Sequence, residues 1–379
     1  LSKKYDKHIA VNTRLLMKGK LEGIGWFSYE VLRRLVRDMP DVHFSFFFDR
    51  PYDPDYLFGP NVTPYVIPPQ ARHPLLWFLW FHVQLRAKLN KLKPDVFFSP
   101  EFYLTAHPTI PQISTIHDLA YEHFPEDLPR FASWYVRRFS PLYARRADHI
   151  VTVSEFSRDD IVKLYGIPEE KISVVYNGCN ERFRPVGEAE QAATRAKYTE
   201  GKPYFHFVGA IHPRKNIESL LLAFDRFKTL QGSDARLLIV GRKGWRYEGA
   251  LQTFEQMTHK SDVVFTGYIS GDALNRIYAA SLGLVYVPYL EGFGIPVLEA
   301  LYAETPVICS NVTSIPEVCG AAALQVDPFD IEAIAKAMQR LYASPALREA
   351  LIEEGRLQRA KFSWDKSAKQ IREILERFW

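Results

Sequence analysis

The stretch Val285-Tyr-Val-Pro-Tyr-Leu-Glu291-Gly292-Phe293-Gly294-Ile295-Pro296-Val297-Leu298-Glu299-Ala300 decides how the chain is to be read. A β-branched and aromatic run gives out at a proline, a glycine-flanked loop follows, and an apolar helix begins. Pro296 stands at the start of that helix, where its missing N–H costs no hydrogen bond. The loop amides and the helix N-terminus make a surface for anions and hydroxyls. Glu291 precedes the loop and Glu299 lies about one turn into the helix, so the two carboxylates can reach opposite ends of one elongated ligand. A carboxylate accepts from both hydroxyls of a ribose or a sugar ring. The same spacing also fits a plain strand-loop-helix unit with solvated acids, because Glu is common in first helical turns.

Outward from this stretch the same rhythm runs the length of the chain. Before residue 180, strands are expected at His8 to Val11, His43 to Phe48, Val96 to Ser99, Gln112 to Ile116, His149 to Val153 and Ile172 to Val175. Helices are expected between them at Trp26 to Arg37, Leu75 to Leu92, Phe131 to Ala147 and Ser157 to Leu164. After residue 180 the strands are Tyr204 to Val208, Arg236 to Val240, Val263 to Thr266, Leu282 to Val287, Pro306 to Cys309 and Ala323 to Val326. Their helices are Ile217 to Leu230, Ala273 to Ala280, Ile295 to Ala303, Ile331 to Ala343 and Pro345 to Ala360. Strands alternating with helices imply βαβ units and mainly parallel sheets. The turn-forming run Asn177-Gly-Cys-Asn-Glu-Arg-Phe-Arg-Pro-Val-Gly187 interrupts both series and reads as a linker. The fold class is α/β: two Rossmann-like doubly wound domains, 1–180 and 181–362, followed by a helix over 363–379. Such sheets bind ligands beyond the carboxyl ends of their strands, so the two are expected to face each other across a ligand-binding cleft.

The composition agrees. A chain of 379 residues, 47% apolar and 24% charged, is long enough for about two folded domains. Residues 1–180 carry 23 basic and 20 acidic side chains and the remainder 25 and 24, so neither part has the concentrated basic footprint of a nucleic-acid binder. Three cysteines without a Cys-x-x-Cys spacing argue against a disulfide framework or a zinc site, and fit a reducing, cytoplasmic compartment. No apolar run reaches the ~18 residues of a membrane span, and the opening Leu1-Ser-Lys-Lys-Tyr-Asp has no signal-peptide core. The expectation is a soluble or peripheral protein.

The Glu291-x(7)-Glu299 segment, with Thr305-Pro-Val and Ser314-Ile-Pro-Glu317-Val beside it, resembles the signature of retaining glycosyltransferases of the GT-B fold, family four. The resemblance implies that Glu291 lies beside the donor sugar and that the amides of Gly292, Phe293 and Gly294 bind sugar hydroxyls and phosphate. It gives Glu299 the nucleotide ribose. It also implies that the final helix, opening at Phe362-Ser-Trp364-Asp365, crosses back to the first domain.

Three further segments carry chemistry. Phe207-Val-Gly209-Ala-Ile-His-Pro-Arg214-Lys215-Asn216 places two cations after a strand and before a helix, where they can stabilise a diphosphate leaving group without a metal; a lone Arg-Lys pair would read by default as a solvated basic loop. Many relatives have Arg directly after the glycine, where this chain has Ala210, so Lys215 and then Arg214 are the expected catalytic cations. His117, in Ile113-Ser-Thr-Ile-His117-Asp118, ends a strand of the first domain. Alone it would read as structural, but its match to the family's His-Asp motif implies a hydrogen bond to the donor sugar. Lys18-Gly19-Lys20-Leu-Glu22-Gly23-Ile-Gly25-Trp26 contains Gly-x-Gly some twelve residues after Val11, too late for a dinucleotide fingerprint. In the family such a glycine loop lets backbone approach donor phosphates and acceptor, which assigns Gly23 and Gly25; plain loop flexibility explains the same glycines. Weaker matches at Gly241-Arg242-Lys-Gly244 and Thr266-Gly267-Tyr268-Ile269-Ser270 assign Gly241, Arg242, Tyr268 and Ile269 to the nucleotide.

Asp53-Pro-Asp55 matches the metal-holding Asp-x-Asp of another glycosyltransferase fold, but lies in a Pro/Tyr-rich loop, and no metal is expected. Asn61-Val-Thr63 and Asn311-Val-Thr313 match glycosylation acceptors just as cheaply. The aromatic and basic stretches Pro74 to Lys88 and Phe131 to Phe139 fit two roles, ordinary helices packed on a sheet or a membrane-interface surface. The resemblance implies transfer of a hexosyl group from a nucleoside diphosphate sugar to a carbohydrate or lipid-linked acceptor, with no cofactor and no nucleic acid partner. The Pro-Arg-Lys-Asn form is similar to mannosyl- and glucosyltransferases of bacterial surface polysaccharides. A nucleotide-sugar epimerase of the same architecture, or a non-catalytic sugar-nucleotide-binding protein, are the alternatives.

Overall fold

Parallel pairing runs through both sheets of the computed structural model, which describes residues 5–19, 21, 23–106, 109–242, 244 and 247–379. Contacts divide the chain into two units, one formed by Leu1–Gly178 with Ser363–Trp379 and the other by Cys179–Phe362.

In the first unit the strands are β1 (Lys7–Asn12), β2 (Val42–Phe48), β3 (Val62–Val66), β4 (Val96–Ser99), β5 (Gln112–Ile116), β6 (His149–Thr152) and β7 (Ile172–Val174). Among the described residues they form a seven-stranded sheet in the order β3-β2-β1-β4-β5-β6-β7. In the second unit β8 (Tyr204–Val208), β9 (Arg236–Val240), β10 (Val263–Gly267), β11 (Gly283–Tyr286), β12 (Val307–Ser310) and β13 (Ala323–Val326) form a six-stranded sheet. Its order, β10-β9-β8-β11-β12-β13, repeats the doubly wound pattern. In each sheet the order reverses beside the first strand, between β1 and β4 and between β8 and β11. Chains leaving those neighbouring strands in opposite directions open a crevice at their carboxyl ends.

Helices cover both sheets, so central strands such as β4, β5, β6, β11 and β12 are buried at every position without alternation. Phe44, Phe46, Phe47 and Phe48 of β2 are all buried, and much of the chain's aromatic content, 14% of its residues, is core of this kind. Trp80, Phe81, Phe97 and Tyr143 add to the same unit's core.

Several expectations need correction. β3 is a strand in a stretch with no assigned element: Pro64 sits within it opposite Phe46, at the sheet edge where a missing N–H is tolerated. The single helix over Leu75 to Leu92 is three joined segments, Pro74–Phe78, a π-helical Leu79–Leu85, and Arg86–Leu92. Helices Glu188–Thr199 and Glu248–Gln256 occupy stretches with no assigned element. Asn61 is buried, its amide donating to the carbonyls of Val36, Met39 and Val42, which rules it out as a surface glycan acceptor in this fold.

The segment Ser363–Trp379 is integrated into the first unit. Ser363 caps the helix Trp364–Leu375, Ser367 donates to the Tyr176 carbonyl at 2.5 Å, and Asp365 accepts from Arg34 Nε at 2.7 Å. Gly178 permits the close approach: a Cβ there would lie 2.7 Å from the Trp364 ring. Among the described residues no helix is long and apolar enough to cross a membrane.

Candidate functional site

The loop after β8 and the loop after β11 leave the second sheet at its switch point, and there the expected cations meet the expected acid. Arg214 Nη1 donates to Glu291 Oε1 at 3.0 Å and to the Leu290 carbonyl at 3.2 Å. Lys215 Nζ bonds the same Glu291 oxygen and donates to the Tyr286 hydroxyl at 2.7 Å. Burial alone would raise the Glu291 carboxyl, but Lys215 and Arg214 outweigh it and hold the carboxyl below its ordinary value. Tyr286 is pushed well above the usual phenol range, first by burial and then by the charge of Glu291. The cluster therefore carries an ionised acid between two cations, with a neutral phenol behind them.

Backbone geometry fixes these groups. Asn216 sits at φ 57, left-handed space that Asn tolerates, and turns the chain from the short helix Pro213–Lys215 into Ile217–Gln231. Its amide donates to the carbonyls of Val287 at 2.9 Å and Pro328 at 2.8 Å, tying the loops after three strands together. The Glu291 backbone is held on both sides, its N–H donating to Thr313 Oγ1 at 3.4 Å and its carbonyl accepting from Ser314 Oγ at 2.8 Å.

Gly294 adopts φ 103 ahead of the helix Ile295–Tyr302, a conformation that suits glycine. Phe293 turns its ring into the core against Phe362, centroids 5.7 Å apart, so its backbone rather than its side chain is what the loop can offer a ligand. Glu299 accepts from the Tyr278 hydroxyl at 2.8 Å, and burial, opposed by that bond, pushes its carboxyl up to about 7.

The remaining nucleotide assignments gather on the neighbouring strand ends. Gly209 N donates to the Val240 carbonyl, Ile211 N to Arg242 O and Gly241 N to Gly267 O, at 2.9, 3.0 and 2.9 Å, stitching three loops into one rim. A side chain at Gly241 would collide with the Gly209 carbonyl. A cavity of about 740 Å³ opens on this rim, lined by Gly241, Arg242, Gly267 and Tyr268 with Phe254 and Phe265. Ile269 is the exception, since its side chain packs toward the core around Tyr204 and Leu238.

His117, Gly23 and Gly25 belong to the first unit. His117 follows β5, its Nε2 2.9 Å from the Pro100 carbonyl and its ring edge-on to Phe27. Only a protonated Nε2 can donate to that carbonyl, which leaves Nδ1 as an acceptor on the neutral ring; burial holds its pKa below the ordinary value. The expected glycine loop is corrected: Gly23 and Gly25 lie in the first turn of the helix Gly23–Asp38. Gly25 is needed there because a Cβ would press within 3.2 Å of the Leu15 carbonyl. Lys20, Glu22 and Lys243, quoted in these motifs, lie outside the described residues.

Sequence reasoning misses a second buried cluster. Arg14, just after β1, grips Glu101, just after β4, through Nε at 2.5 Å and Nη2 at 2.6 Å. Asn12 adds a bond to Glu101 at 2.6 Å and one to Ser99 at 3.2 Å. The Arg14 guanidinium lies 4.9 Å from the Tyr103 ring centroid. The cluster flanks Pro100, whose carbonyl holds His117. No local pattern reveals it, because its partners stand 87 residues apart. Asp53 accepts from the N–H of Asp55 and pairs with Lys18, and among the described residues no group of three His, Cys, Asp or Glu is placed to hold a metal ion.

Two doubly wound units, one with paired cations and a carboxylate at its switch point, have the architecture of a GT-B fold. Comparison with known proteins specifies it. The family model described as glycosyl transferases group 1 matches residues 190–358, and that described as glycosyltransferase family 4 matches residues 21–183. The O-antigen chain mannosyltransferase B of Escherichia coli is 30% identical over 365 residues, 93% of this chain and 96% of that protein. The O-antigen chain mannosyltransferase RfbU of Salmonella typhimurium is 30% identical over 292 residues, 76% of each chain. Among solved structures, a sucrose-phosphate synthase from Thermosynechococcus elongatus superposes with a TM-score of 0.78 at 20% identity, covering 98% of both chains. WaaG, a glycosyltransferase involved in lipopolysaccharide biosynthesis, gives 0.74 at 16% identity over 97% of this chain and 99% of its own. The chain belongs to the family 4, group 1 glycosyltransferases and is a glycosyltransferase of the GT-B fold.

Proposed function

We propose that this enzyme transfers a hexosyl group from a nucleoside diphosphate sugar to an acceptor hydroxyl, with retention at the anomeric carbon, in the assembly of a surface polysaccharide or glycolipid. The observation that carries the reading is the Arg214, Lys215 and Glu291 cluster at the switch point of the second sheet. The two cations receive the diphosphate, and their charge meets the negative charge that grows on the leaving phosphate. Glu291 stands beside the sugar and stabilises positive charge at its anomeric carbon. Glu299 takes the ribose hydroxyls, and the base enters the cavity beside Gly241, Arg242 and Tyr268.

As the bond from the anomeric carbon to phosphate breaks, the acceptor oxygen bonds on the same face and its proton passes to the departing phosphate oxygen. Every atom is then accounted for, with charge stabilisation supplied by side chains and no cofactor in the scheme. The first unit receives the acceptor, with His117 Nδ1 accepting from a sugar hydroxyl. A carbohydrate or lipid-linked acceptor places the enzyme at the cytoplasmic face of a membrane, in peripheral contact through the first unit.

The names of its relatives make a mannosyl nucleotide the first donor to test. A thermal-shift screen of nucleoside diphosphate sugars identifies the donor, since a ligand selective for the folded state raises the melting temperature. Proton NMR of the product then reads the anomer. An inverted anomer, or a new sugar nucleotide formed from donor alone, overturns the reading.

A further inference from the structure

The helical segments Pro74–Leu85 and Arg130–Arg146 of the first unit each present two apolar faces, and only one of these is spent on the core. Inward, Trp80, Phe81, Leu85, Tyr135 and Tyr143 are buried. Outward, Leu75 (65% exposed), Phe78 (46%), Leu79 (36%), Val83 (48%), Phe131 (42%) and Trp134 (56%) stand in solvent. The π-helical turn Leu79–Leu85 resets the helical register, so that Trp80 and Phe81 face in while Leu79 and Val83 continue the outer row begun by Leu75.

The outer residues form one surface. His73, ahead of the first segment, stacks on Phe131 of the second at 5.5 Å, Phe131 stacks on Trp134 at 5.6 Å, and Phe78 meets Phe139 at 6.2 Å. A contiguous apolar patch of this kind on a folded chain marks a contact surface.

Charge selects the partner. Residues 71–94 contain five Lys and Arg (Arg72, Arg86, Lys88, Lys91, Lys93) and no Asp or Glu. Residues 128–147 contain five Arg (Arg130, Arg137, Arg138, Arg145, Arg146) and again no acid. Glu122, from the preceding helix Ala120–His123, pairs with Arg137 at 3.0 Å. Five of these cations lie on Arg130–Arg146 and the other five flank Pro74–Leu85, Arg72 ahead of it and Arg86, Lys88, Lys91 and Lys93 after it, in a chain whose net charge is only +4. A second copy docked patch to patch would bring the cations flanking one patch toward those flanking the other, with no acid of either segment to offset them. Exposed Leu and Val side chains among the cations suit an acyl boundary, and an interfacial Trp with flanking Arg suits headgroups.

We propose that this face is the membrane-docking surface of the enzyme and that its partner is a bilayer rich in anionic phospholipid. The proposal rests on the reading that the first unit makes peripheral membrane contact, and gives that contact its residues and lipid class. Insertion of Phe131, Trp134 and Leu75 at the headgroup boundary, with Arg72, Arg130 and Arg138 on lipid phosphates, would hold the acceptor side of the enzyme at the membrane plane.

The test is flotation of the full chain with vesicles of phosphatidylcholine containing 30% phosphatidylglycerol, against pure phosphatidylcholine, at low and high salt. Binding to the anionic vesicles should exceed that to neutral ones by about tenfold or more and fall with salt. Phe131→Ser with Trp134→Ser, and separately Arg130→Glu with Arg138→Glu, should each lower it about tenfold at an unchanged melting temperature. Equal binding to both vesicles, or undiminished binding by both variants, overturns the proposal. So does displacement of the vesicles by RNA, or dimerisation in sedimentation that the Ser variant abolishes. The donor-induced thermal shift is followed on the same samples: its loss with vesicle binding intact counts against the donor site alone, and the reverse pattern counts against this face alone.

Discussion

Glu299 offers the sharpest test of how the nucleotide is held. Burial moves its carboxyl from an ordinary 4.5 up to about 7, in spite of the bond from Tyr278. The folded chain therefore keeps this proton to a higher pH than the unfolded chain, and folding stability falls as pH rises between the two values. At ~1.4 kcal/mol per pH unit the loss is about 3 kcal/mol, complete by pH 8. A ribose that donates two hydroxyls favours the ionised carboxylate, so donor binding should expel the proton. Affinity for a nucleotide sugar should weaken about tenfold for each pH unit below 7 and level off above it. The donor itself has no phosphate ionisation between pH 5 and 8, so the slope belongs to the protein. Calorimetry at pH 6, in two buffers of different ionisation enthalpy, should count about 0.9 proton released per donor bound. Glu299→Gln should abolish both the release and the slope. Release below about 0.2 proton by the unaltered enzyme, or an uptake, with the donor still bound, would refute the assignment of the ribose to Glu299.

Three other outcomes are expected. Lys215→Ala strips the buried Glu291 of a partner and should lower turnover about 10²- to 10³-fold, whereas Asp53→Ala should leave it within about twofold; equal losses in steady-state assays contradict the site. Gly178→Ala forces a Cβ against the backbone and ring of Trp364 and should destabilise the first unit by about 1–3 kcal/mol, seen as a lower melting midpoint. Glu101→Ala leaves the Arg14 guanidinium buried without its carboxylate and should cost about 3–5 kcal/mol in a urea titration; a loss below ~1 kcal/mol would show the cluster to be solvated.

The two sheets were legible because buried parallel strands are continuous apolar runs, and a loop or helix always separates them. β8, β9 and β13 have the bounds expected of them. β3 hides because Pro64 disguises an edge strand as a loop, and a sequence carries no label for which strand lies at an edge. The π-helical turn hides because a helix with apolar residues on two faces has no single stripe to follow. At the site, Arg214, Lys215 and Glu291 stand out as charges next to glycine and proline turns, and the sheet order brings them together. Tyr286 and Tyr278 look like core aromatics, and only their hydroxyl contacts with Lys215 and Glu299 distinguish them. The Arg14 and Glu101 pair depends on β1 and β4 being neighbours, which local sequence does not encode.

On the donor site proposed above, the carboxylate shared by Arg214 and Lys215 would also set which anions gain entry. Glu291 is tethered by Thr313 and Ser314, so it faces both cations at an effective concentration that a dilute free anion cannot match. Inorganic phosphate, common in any cell, would have to displace it and leave a buried carboxylate with only the Tyr286 hydroxyl. A ligand that brings phosphate oxygens for the cations together with hydroxyls for Glu291 exchanges every one of these bonds for another. At that proposed donor site, the pairing would favour a sugar joined to its diphosphate over either piece alone.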